Sequence, residues 1–252
     1  MLVKILSPYL GTIVNFAVVL VMGTIGSLIK KGIPKRFSEA VMSAMAICVI
    51  YIGIDGALET APDTSVSAPL LSPGLFKVLV MVVSMAIGTL IGELMDLEGR
   101  MDKLGEIASK RLGKLGTNEN FAKGFVSCSI LFCVGAMAVN GAIASASGDH
   151  QLLLTKSVID GVSVLVMSSS LGIGCAFSAF FVLVYQGILT LFGTALVGIL
   201  SAETLTYMSV TGSLIVILLG TNVLGVTKVR TANMLPSVFV AIGIEALLKW
   251  IF

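Results

Sequence analysis

Residues 10–36 read LGTIVNFAVVLVMGTIGSLIKKGIPKR, and the fold is decided there. From Leu10 to Ile29 no residue is charged; then Lys30, Lys31, Lys35 and Arg36 arrive together. A membrane-crossing helix needs about 20 apolar residues, which this run supplies, and a cluster of lysine and arginine marks the end that stays cytoplasmic. Only Lys4 precedes the run, and no small-residue cleavage site follows it, so it reads as a retained first span and not a removed signal. The rest of the chain has the same character. Of 252 residues, 56% are hydrophobic and 12% charged, and the mean hydropathy is +1.05. A soluble domain is about 45–50% apolar and about 25% charged. So little charge cannot cover a water-facing surface, which excludes a soluble enzyme, a disordered chain and, with a net charge of only +2, a nucleic-acid binder.

Apolar runs and breakers continue the ladder. Helices are expected at about 38–58, 75–94, 123–147, 151–171, 175–199, 205–225 and 231–251. Pro62, Pro69 and Pro73 mark a loop before the third helix. Within 95–116, Leu97, Met101, Leu104, Ile107, Ala108 and Leu112 fall on one stripe, which predicts an amphipathic helix on the membrane surface. The expectation is an all-α polytopic transmembrane helical bundle of seven or eight spans, a single integral membrane domain over 1–252. Gly172-Ile173-Gly174 interrupts the stretch 151–200, where two spans and a re-entrant pair both fit.

Charge sorting supports the count. Twelve of the sixteen basic residues are Lys30, Lys31, Lys35, Arg36, Arg100, Lys103, Lys110, Arg111, Lys114, Lys123, Lys228 and Arg230. With eight spans all twelve lie on one side, the cytoplasmic one, and both termini lie opposite. Internal echoes suggest repeated helical hairpins: Cys48-Val49 precedes Gly56-Ala57 at the spacing by which Cys133-Val134 precedes Gly141-Ala142. Repeats of this kind often enclose a pathway. Gly88 and Gly92, four apart, form a small-residue face for close helix packing.

Ionisable and polar groups at membrane depth are costly and are therefore functional candidates. Asp160 stands out, about 15 Å along its helix, with Lys156 four residues before it on the same face. It reads equally as a ligand for an ion, proton or substrate and as half of a structural ion pair. Asn15, Asn140, Asn222 and Asn233 lie in or beside apolar segments, where an amide can bind a solute or join helices. Pro236 follows Asn233 and removes a backbone donor, which suits either a broken helix that exposes backbone or a capped helix start. Ser168, Ser169 and Ser170 precede the Gly172 break, and Ser178 and Gln186 follow on one face of the next helix; together they line a polar path. Asp55 and Glu245 read as interface residues, and Glu93 as part of the charged surface.

Other chemistry has little support. The chain has no HExxH, no GxSxG and no P-loop, so no enzyme is expected. A single histidine, His150, and the cysteines Cys48, Cys128, Cys133 and Cys175, all in apolar runs, suggest neither metal nor cofactor.

Three stretches carry a resemblance: Gly11–Asn15 with Gly23–Gly26; Cys133–Met137 through Asp149, Lys156-Ser157, Asp160-Gly161, Phe177–Ala179 and Tyr185–Gly187; and Lys228–Pro236. With these the chain resembles the YdfK/YqgA-like bacterial membrane proteins, the domain-of-unknown-function 554 family. The resemblance implies a multi-pass protein of the bacterial inner membrane and transfers no site residue. The expected function is transport, by carrier or channel, of a small solute or ion. The alternative is a membrane scaffold or sensor acting through protein partners. Expected partners are the bilayer, the solute and, in a homo-oligomer, a second copy of the chain.

Overall fold

The computed structural model describes residues 7–30, 34–58, 72–111, 121–134, 136–196 and 200–251. Loop positions Pro62, Pro69 and Lys114 lie outside these, as does the side chain of Asn140. The helices are α1 (Leu10–Lys30), α2 (Lys35–Ala57), α3 (Pro73–Met95), α4 (Leu97–Arg111), α5 (Phe121–Val134), α6 (Ala136–Ala146), α7 (Gln151–Leu171), α8 (Gly174–Leu191), the single turn α9 (Gly193–Leu196), α10 (Ala202–Leu224) and α11 (Pro236–Ile251). No strand occurs among the described residues. Among the described residues seven helices are long and apolar enough to cross a membrane: α1, α2, α3, α7, α8, α10 and, with its preceding 3-10 turn, α11.

Local chemistry sets the ends of these rods. Ser72 caps α3 by accepting the Leu75 N–H, with Pro73 in the first turn. Asp96 ends α3 in the left-handed region, φ 46°, and redirects the chain into α4. Ser201 caps α10, which stops at Gly225 with φ 78°. Gly172, at φ 94°, permits the tight reversal between α7 and α8. Within stretch 151–200, α7 and α8 are thus two helices each long and apolar enough to span a membrane. Pro236 opens α11 after a 3-10 turn at Thr231–Met234, so it starts a helix and does not kink one.

One expected helix is different. The segment 123–147 is not a continuous rod: α5 and α6 meet at a bend of 77°. The pair nonetheless runs from one end of the bundle to the other. Phe121 backs onto Gly174 at the end that carries the basic turn 225–230, whereas Ala146 packs against Gly193 and Ser145 donates to the Pro8 carbonyl at the opposite end.

Small residues decide which helices touch. α1 and α7 run parallel, with Gly11 against Leu153 and Gly161 against Val18. α2 lies antiparallel to α10, with Gly53 against Ile217 and Gly220 against Ile50. α3 lies antiparallel to α11, with Gly88 against Ser237. The hairpin inferred from the internal echoes is not the packing unit: among the described residues α1 packs mainly on α7 and α8, and α2 mainly on α10. Large apolar side chains such as Val21, Val82, Val158 and Val184 point outward, while Thr12, Asn15, Ser178 and Gln186 are fully buried. That inversion of a soluble protein suits a lipid-facing exterior.

Candidate functional site

α1, α7 and α8 bring three of the candidate residues into one cluster, although they are far apart in sequence. Asp160 sits near the middle of α7, 4% exposed, and accepts a close ion-paired hydrogen bond from Lys156 Nζ one turn earlier. Asn15 Nδ2 donates to Asp160 Oδ2 at 3.2 Å and to Gln186 Oε1 at 3.3 Å. Closer to the opposite end, Thr12 and Thr190 share a hydroxyl–hydroxyl contact of 3.4 Å. On the other side the Lys156 ammonium lies 5.6 Å from the centroid of the Phe132 ring, a cation–π contact from α5 just before the bend.

The ion pair is electrically neutral as a unit, which is what makes it tolerable inside an apolar bundle. Its surroundings are not fully satisfied. Among the described residues, Asn15 Oδ1 and Gln186 Nε2 are buried and have no hydrogen-bond partner. A buried amide atom left without a partner costs about 1–3 kcal/mol. One acceptor and one donor are thus free beside a neutral ion pair at mid-membrane depth, a set that can bind a small polar group or water.

The remaining candidates whose side chains are described do not join this cluster. Ser168, Ser169 and Ser178 donate their hydroxyls to the carbonyls of Gly172, Val166 and Cys175. Ser170 is buried near the end of α7, toward the basic turns. Asn222 holds the turn 225–229: its Nδ2 donates to the Val229 carbonyl at 2.6 Å, and its Oδ1 accepts from Val229 N at 3.0 Å and Thr227 Oγ1 at 2.7 Å. Asn233 Oδ1 accepts the Glu98 N–H at 2.7 Å, and the Glu98 carboxylate accepts the Ala232 N–H at 3.1 Å. These two bonds fasten the start of α4 to the 3-10 turn that precedes α11. Between them lies a cavity of about 320 Å³ whose polar wall includes Glu98, Asp102, Lys123, Ser127 and Asn222.

Sequence reading missed three features. Thr12 and Thr190 gave no signal beyond their polarity in apolar runs. Glu245, read as an interface residue, and Glu203 share Lys249, whose Nζ lies 2.9 Å and 2.6 Å from their carboxylates. The spacing of Glu245 and Lys249, four apart, was the available clue. Gln186 and Asp160 meet only because α1 lies between their helices, which no periodicity reveals.

Comparison with known proteins agrees with this architecture. The chain is 30% identical to the "Uncharacterized membrane protein YdfK" of Bacillus subtilis (strain 168), over 91% of this chain and 93% of that one. It is 24% identical to the "Uncharacterized protein YqgA" of Escherichia coli (strain K12), over 94% and 96%. No solved structure matches. A family model described as "Protein of unknown function (DUF554)" matches residues 10–246, and with its apolar helices and its likeness to a membrane protein the chain belongs to that family.

Proposed function

We propose that the protein is a transporter of a small polar solute or ion in the bacterial inner membrane, with its basic face cytoplasmic and its binding centre at Asn15, Lys156, Asp160 and Gln186. The observation that carries this reading is the pair of unpartnered amide atoms, Asn15 Oδ1 and Gln186 Nε2, beside a buried ion pair. A site that alternates between empty and filled has a use for such atoms. Two features support it. The bend between α5 and α6 lies beside Phe132, and interrupted helices are the usual walls of membrane binding sites. The mixed-charge cavity reaches Ser127 on α5, about 8 Å of helix from Phe132, and supplies a vestibule on the basic side.

The closed Lys156–Asp160 pair also suits the scaffold reading, in which the cluster only fixes α1 against α7 and α8. Flux separates the two. A thermal-shift panel of small solutes and ions identifies the ligand, whose uptake is then followed in reconstituted vesicles. Asp160→Asn abolishes uptake on the transporter reading and leaves expression unchanged. Normal flux in that variant removes Asp160 from the mechanism.

A further inference from the structure

Three sulfur-bearing side chains meet between α5, α7 and α8, on the basic-face side of the ion pair and apart from it. Cys128 Sγ donates to Met167 Sδ at 3.7 Å, and Cys175 belongs to the same buried cluster. Gly124 explains why Cys175 comes so near. It stands one turn before Cys128 on the same face of α5, and a Cβ built on it would lie 2.9 Å from Cys175 Sγ. Cys128 and Cys175 are fully buried and Met167 is 1% exposed. Val19, Val164, Leu171 and Ala179 complete an apolar shell around them.

We propose that Cys128, Met167 and Cys175 form a binding site for a soft monovalent metal ion, of the Cu(I) class. Thiolate and thioether sulfur are the donors that select Cu(I). Metal–sulfur bonds of about 2.3 Å place the corners of a trigonal site about 4 Å apart, so the observed 3.7 Å between two of the sulfurs needs little adjustment. Charge balance fits the apolar shell. When Cu(I) binds, one cysteine S–H bond breaks, its proton leaves to solvent and a Cu–S bond forms. One thiolate, one thiol and one thioether around a single positive charge are neutral overall, and no electron is transferred. A divalent ion would reach neutrality only with both thiols deprotonated in this shell. It would also want a harder set of ligands, and no three His, Cys, Asp or Glu side chains converge on a metal-sized space among the described residues. The site does not depend on solute transport at Asp160 and can stand or fall separately.

The test is anaerobic titration of the purified, reduced protein in detergent with Cu(I) buffered by bicinchoninate. One equivalent binds, with sulfur neighbours at about 2.3 Å in X-ray absorption. Cys128→Ser weakens binding about a hundredfold or more, since even changes outside the ligand shell cost about 10–100-fold. Met167→Leu, which keeps the side-chain volume, weakens it by about tenfold. The Cys48→Ser/Cys133→Ser variant binds as the native protein does. No binding by the native protein, or binding that survives both Cys128→Ser and Met167→Leu, overturns the proposal; so does loss confined to the Cys48→Ser/Cys133→Ser variant. If Cys128→Ser fails to fold by circular dichroism, Met167→Leu decides alone.

Discussion

Lys156 and Asp160 each survive in the bundle only because of the other. Both are about 5% exposed or less, and an isolated charge at that depth would carry its full desolvation cost. Replacing one partner therefore hurts more than replacing both. Lys156→Met should destabilise the protein by about 3–5 kcal/mol by leaving a bare carboxylate, and Lys156→Met/Asp160→Leu should recover most of that loss. Reversible unfolding in detergent measures both; a double variant as unstable as the single one would show that the pair is not the source. Asn222 offers the contrasting case of a polar residue with every bond turned inward. Its three contacts to Thr227 and Val229 hold a turn, not a solute. Asn222→Ala should cost about 1–3 kcal/mol, speed amide exchange at residues 226–229 and leave uptake intact. Lost uptake with a firmly protected turn would move Asn222 into the pathway.

Helices meet in this protein where side chains are smallest. At Gly92, on α3, even a single methyl would enter the backbone carbonyl of Asn233, so the joint between α3, α4 and α11 tolerates no larger residue. The same joint carries a pH response. Burial pushes the Glu98 carboxyl above its ordinary value, against the Ala232 N–H and the Arg230 charge that favour its ionised form. Burial also raises Asp102, with Glu106 and Asp96 adding repulsion. A carboxyl raised in the native state holds its proton more tightly there than in the unfolded chain. Its contribution is present below the ordinary carboxylate pKa and is lost as pH rises through the raised value. Amide exchange in α4, corrected for intrinsic rates, should thus quicken as pH rises above the ordinary carboxylate range, and Asp102→Asn should reduce that change. An unchanged pH response in the variant would clear Asp102 of the effect. At the level of elements the sequence was readable where polarity changes. The α4 stripe is expected at 95–116 and found at Leu97–Arg111, and the Gly172 break divides α7 from α8 as the triplet Gly172-Ile173-Gly174 suggests. The bend between Val134 and Ala136 was not readable. Cys133-Val134-Gly135-Ala136-Met137 stays apolar across it, so hydropathy sees one rod. The contact of Asn15 with Asp160, 145 residues away, depends on which helices pack together, and that is set where a glycine of one helix admits a side chain of another, not by any local pattern.

For the whole molecule, the question is whether the bent pair crosses the membrane. If it does, the chain has eight crossings and all twelve clustered basic residues share one face, as charge sorting requires. If it folds back, every span after it inverts. The packing favours crossing. α1 and α7 run parallel, with Gly11 beside Leu153 at one end and Gly26 beside Leu165 nearer the other. Because α1 ends at the basic turn, α7 must begin on the opposite face, where Ala146 and Ser145 already lie. Lys103 on α4 and the exposed Asp149 flank the bent pair and no other described helix. In a cysteine-free background, Lys103→Cys and Asp149→Cys should react with a membrane-impermeant maleimide from opposite sides of oriented vesicles. Reaction from the same side would make α5 and α6 a re-entrant loop. It would also require α7 to run antiparallel to α1, which would separate Gly11 from Leu153 and Asn15 from Asp160. The labelling experiment thus tests the topology and the geometry of the candidate site together.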